Sequence, residues 1–103
     1  MVNIGNMMKQ AQQLQKKMSD AQEKLKSIEV EGTSGGGLVK VLSTAKGEIK
    51  KISIDDSLMS KEEKEITEDL ILAAINDAKQ KAEIAAEKEM KNITGGLPLP
   101  PGF

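Results

Sequence analysis

The chain contains no cysteine, histidine, arginine, tryptophan or tyrosine, and its one aromatic residue is Phe103. Without cysteine there is no disulfide staple and no thiolate metal site. Without histidine the usual general base near neutral pH is missing, and the remaining Lys, Asp, Glu and Ser suggest no active site. Without arginine the planar fork that reads guanine bidentately is missing as well. No metal, cofactor or small-molecule substrate is implied, and a non-catalytic protein is expected. No apolar run approaches the roughly 20 residues needed to cross a bilayer. The start Met1-Val2-Asn3-Ile4-Gly5 lacks the charged and apolar regions of a secretion signal, so a cytoplasmic location away from membranes is expected.

What is present is aliphatic and charged. A chain of 103 residues is one domain, and at this size it buries only about two-thirds of its unfolded surface. With so few large side chains, a subunit interface is the remaining way to enlarge the core, which points to a homodimer. The net charge of −1 is unevenly spread. Residues 1–30 hold five lysines against three acids, and residues 31–54 four against two. Residues 55–103 hold six against eleven. A mildly basic first half permits an anionic partner without requiring one.

Apolar residues recur in steps of three and four through Ile4, Met7, Ala11, Leu14, Met18, Ala21, Leu25 and Ile28. This predicts a helix over 3–28 with a narrow seam suited to packing on another helix. The chain then turns rich in glycine and β-branched residues. Ile28 and Val30, Val39 and Val41, and Ile52 and Ile54 each flank a polar residue, predicting three short strands in an antiparallel meander. The turns fall at 32–37 and 45–47. Ser60 and Glu63 fit a capping box opening a second helix that runs to about Asn92, with Ile66, Leu70, Ala73, Ala74, Ala78, Ala82, Ala85, Ala86 and Met90 on its apolar side. Gly95-Gly96 ends it, and the prolines at 98, 100 and 101 predict an extended tail over 97–103, beyond a single domain of 1–96. The expected fold class is α+β, in the order α-β-β-β-α, with a three-stranded antiparallel sheet and two long helices.

The pattern resembles the YbaB/EbfC family of bacterial nucleoid-associated proteins. The resemblance rests on Asn6-Met7-Met8-Lys9-Gln10-Ala11-Gln12, Gly35-Gly36-Gly37-Leu38-Val39-Lys40-Val41, Ile54-Asp55 with Leu58, Asp69-Leu70-Ile71 with Ala73-Ala74 and Asn76-Asp77-Ala78, and Leu99-Pro100-Pro101-Gly102-Phe103. These pieces lie in family order and span nearly the whole chain. The resemblance implies a tweezer-like homodimer in which sheets associate and helices project. It also implies binding of duplex DNA with little sequence specificity, and roles in nucleoid organisation and gene regulation. Related sequences often carry arginines after the Asn-Asp-Ala motif, where this chain has Lys79-Gln80-Lys81. A lysine offers phosphate a point charge and not a fork.

On the first helix, Lys9, Lys16, Lys17 and Lys24 fall within an arc of roughly 100°, with Gln13 inside it, turned away from much of the seam. A solvated face accounts for the same pattern. Together with the resemblance, these five residues are the expected DNA contacts, best at Lys9, Lys16 and Lys17, because Asp20 and Glu23 dilute the far end. Val39, Val41, Ile52 and Ile54 are the expected dimer-interface residues. Lys40, Lys50 and Lys51 read as solvent-facing sheet residues. The glycines at 35–37 precede a strand and lack a P-loop ending, so they read as a turn. Asp55, Asp56, Glu62 and Glu63 read as helix-start electrostatics and match no calcium loop. Asp20/Lys24, Asp77/Lys81 and Glu87/Lys91 have the spacing of surface ion pairs. A coiled-coil-like protein-interaction or holdase module is the alternative, favoured by the net acidity and the missing arginines.

Overall fold

A computed structural model describes residues 3–94. Helix α1 (Ile4–Leu25) is capped by Asn3, whose side-chain oxygen accepts the Asn6 amide at 3.1 Å. It stops three residues before the expected end at Ile28. The Ser27 amide and hydroxyl both donate to the Lys24 carbonyl, at 3.0 and 2.8 Å, and close the last turn. Ile28 then joins the sheet by accepting the Ala45 amide at 2.9 Å. The strands β1 (Glu29–Ser34), β2 (Val39–Thr44) and β3 (Ile49–Ile54) form the expected antiparallel meander in the order β1-β2-β3. The first turn is shorter than predicted. Only Gly35–Gly37 make it, and their φ values of 61°, 69° and 100° are open to glycine and strained for other residues.

Two 3₁₀ turns, Asp56–Leu58 and Lys61–Glu63, lead into α2 (Lys64–Thr94). The capping box at its start does not form. The Ser60 side chain makes no cap bond, and Glu63 is tied to Ser60 only by its own amide, 3.2 Å from the Ser60 carbonyl. The extra 3₁₀ turn lets a backbone group do what a side chain was expected to do. Gly95-Gly96 and the tail 97–103 lie outside the described residues.

Helix α2 lies over β1 and β2. Val39 and Val41 are fully buried beneath it, with Leu58, Ala74 and Ala78, and Ile54, Leu70, Ile71 and Ile75 pack around them. Gly32 explains how close the layers come. A Cβ on this strand residue would overlap the Ala74 carbonyl oxygen and the Ala78 amide nitrogen. Glycine and alanine therefore bring the helix to main-chain distance from the sheet. The Ser34 hydroxyl adds a 2.6 Å bond to the Leu70 carbonyl. A second cluster of Met18, Ala21 and Met90 joins α1 to the far end of α2. The molecule is accordingly long and thin, 74 × 19 × 17 Å.

Val39 and Val41, expected at a subunit interface, lie beneath α2 with no exposed surface within one chain. The alternation identified an apolar face of the sheet, and α2 of the same chain covers it. Ile54 is half-buried, and Ile52 remains 43% exposed because α2 does not reach across β3.

Candidate nucleic-acid interface

The lysines of α1 divide into two groups. Lys9, Lys16 and Lys17 are exposed, as is Gln13, and these three ammonium groups have no carboxylate within ion-pair distance among the described residues. Lys24 differs. Its Nζ lies 2.9 Å from Glu89 Oε1, and the Glu89 side chain is only 15% exposed. Lys24 therefore joins α1 to α2, where an i, i+4 pair with Asp20 was expected. Lys26 is likewise paired, 3.3 Å from Glu23. The free positive charge on α1 is thus confined to the stretch from Lys9 to Lys17, on the side of the helix away from the seam. Seam residues of this N-terminal half are open too: Ile4 is 69% exposed, Met7 57% and Leu14 48%.

The sheet lysines are arranged differently. Lys40 and Lys51 are exposed, and the register sets them opposite Ser53 and Leu42, on the face turned from α2. Lys50 is held 3.0 Å from Glu29.

One arrangement was not legible in the sequence beyond its i, i+4 spacing. Asp77 Oδ2 accepts the Thr33 amide at 2.9 Å, and Lys81 Nζ donates to the Glu31 carbonyl at 2.9 Å while standing 3.0 Å from Asp77. The two side chains occupy main-chain groups on the outer edge of β1. The Thr33 amide, followed by the Lys81 ammonium, lowers the Asp77 pKa below its ordinary value. Asp55 is lowered too, by the hydroxyl and amide of Ser57. It caps the start of the Asp56–Leu58 turn, and no grouping of three or more acids among the described residues is placed to hold a metal ion.

A sheet roofed by one helix, with a second helix held half free in solvent, defines an α+β protein. The comparisons with known proteins make this particular. The sequence profile of the YbaB/EbfC DNA-binding family matches residues 1–97, and the chain belongs to that family. It is 57% identical over 103 residues to a nucleoid-associated protein of Nitrobacter hamburgensis, covering 100% of this chain and 97% of that one. With a nucleoid-associated protein of Rickettsia bellii it shares 50% identity over 103 residues, covering 100% and 96%. The crystal structure of an uncharacterized Helicobacter pylori protein, HP0035, superposes with a TM-score of 0.79 at 28% identity, covering 92% of this chain and 100% of that one.

Proposed function

We propose that the chain works as a homodimer that binds duplex DNA with little sequence requirement in the bacterial nucleoid, contributing to nucleoid organisation and gene regulation. The observation that carries this reading is the set of exposed lysines at 9, 16 and 17, without counter-ions among the described residues, on a helix that stands clear of the sheet. Membership in a DNA-binding family supports it. Ammonium groups neutralise phosphates without reading bases, and the chain has no arginine fork to read them with. Gln13 sits among these lysines as a neutral hydrogen-bonding partner, whereas Lys24 is committed to Glu89.

The second copy is assigned to the β3 side of the sheet. The β1 edge is occupied by Asp77 and Lys81. At β3, Ile49, Ile52 and Met59 expose apolar surface. A shallow hollow of about 290 Å³ opens there between Ile54, Leu58, Met59 and Thr67. Burying such a patch is the usual source of association energy.

Gel shifts with two unrelated duplexes at low salt, paired with light scattering for mass, test the proposal. Complexes with both duplexes and twice the chain mass are expected. The alternative, a protein-interaction or holdase module, is favoured by the exposed seam of α1. It predicts no complex with duplex DNA at micromolar protein and low salt, and that outcome would displace the DNA reading.

A further inference from the structure

The sheet has two edges, and they are finished differently. β3 stands at one edge, paired on one side only, and α2 does not reach across it. β1 stands at the other, and α2 lies over it. A strand turns its main-chain groups alternately toward one neighbour and the other, so an edge strand is left with a row of unpaired amides and carbonyls. Such a row is a template for a strand from another molecule.

On β1 part of that row is taken. The Thr33 amide and the Glu31 carbonyl point away from β2, and they meet Asp77 Oδ2 and Lys81 Nζ, both at 2.9 Å. A carboxylate oxygen stands where a neighbouring strand would offer a carbonyl, and an ammonium where it would offer an amide. The two side chains lie one helical turn apart, 3.0 Å from each other, so each charge is compensated by its partner. Both remain partly exposed, at 33% and 47%, over an edge whose own Glu31 and Thr33 are exposed. The edge is therefore accessible from solvent, and two polar side chains are what fill it.

We propose that Asp77 and Lys81 act as a decoy strand, shutting β1 to strand addition by another copy of this chain. The surface of that copy that fits is its β3 edge. It has main chain to pair, it exposes Ile49 and Ile52, and no helix of its own covers it to meet α2. A contact of β1 with β3 joins unlike surfaces, so it repeats from copy to copy and does not close. The clasp confines association to the β3 side and stops it at a closed pair. This rests on the assignment of the second copy to the β3 side.

The test is light scattering on Asp77→Ala with Lys81→Ala in the full chain, beside the wild type, from about 10 to 500 μM. The mass of the variant is expected to climb with concentration to more than about twice that of the wild type. Adding Thr33→Pro removes the outward amide at an edge position, where proline is tolerated, and is expected to restore the wild-type mass. A folded double variant of unchanged mass overturns the proposal, since the two side chains would then be only a tie between α2 and β1. Growth that Thr33→Pro leaves intact overturns it too, because it would arise away from the β1 edge. If circular dichroism shows the double variant unfolded, Asp77→Ala alone, which frees the Thr33 amide, carries the same outcomes. The mass of the wild type reports separately on the β3 assignment: a single-chain mass removes that assignment, and growth of the variant relative to it still decides the clasp.

Discussion

At the sheet end of the molecule, Gly32, Ala74 and Ala78 bring α2 against β1 at main-chain distance, with Val39 and Val41 sealed beneath. At the arm end, Ile4, Met7 and Leu14 lie open on one side of α1, and Lys9, Lys16 and Lys17 have no counter-ion among the described residues. The contact of α2 with β1 and β2 leaves almost no surface open, whereas the arm has little but surface. Their difference separates stability from binding. Substitutions at the sheet end are expected to unfold the chain, and substitutions on the lysine face are expected to alter what it holds while leaving the fold intact.

The sharpest way to break the sheet end is Gly32→Val. The branched side chain meets backbone on α2, which has no rotamer to yield. A loss of about 3 kcal/mol or more, or failure to fold, is expected in denaturant melts. A stable Gly32→Val protein would show that the layers are looser than the structure has them. On the arm, Lys16→Glu with Lys17→Glu is expected to weaken duplex binding at least about tenfold at low salt on all sequences alike. Its melting curve should stay close to the wild type.

Where the two regions meet, Met18→Ala empties part of the cluster with Ala21 and Met90, and a cost of about 2 kcal/mol is expected. The β1 edge gives a pH-dependent probe. Folding lowers the Asp77 carboxyl below its ordinary value of 3.8. A group lowered in this way contributes stability in full above that value and loses it as pH falls through the folded-state pKa. Asp77→Asn is therefore expected to melt below the wild type at neutral pH, with the gap closing as pH falls from about 4 toward 2. A gap that persists at the acid end would remove this carboxylate from the account. The smallest effect is expected for Lys24→Gln. It breaks an ion pair exposed at its lysine end, worth about 0.5 kcal/mol, and should change DNA affinity little, because Lys24 already serves Glu89.

The two regions also differed in how well they could be read in advance. The heptad spacing located α1, and period-two alternation located all three strands, because each pattern reports which face of an element is apolar. Neither pattern says what covers that face. Val39 and Val41 therefore read in sequence as interface residues, and α2 of the same chain covers them. Gly32 was read as part of a turn, since a glycine required by close approach looks in sequence like one required for a bend. Lys24 was grouped with its neighbours because helical angle fixes direction and says nothing of a counter-ion 65 residues away. The lysines at 9, 16 and 17 lie together on the exposed stretch of α1, a grouping that helical periodicity shows and to which only the family resemblance attaches DNA.

The central claim is that charge on the two α1 arms of a dimer holds the DNA backbone. It is tested most directly by the salt dependence of affinity for two unrelated duplexes. Three free lysines on each of two copies, neutralising about six phosphates, predict a log–log slope of about −5, the same for both sequences. A slope near zero, or no binding at low salt, would contradict it.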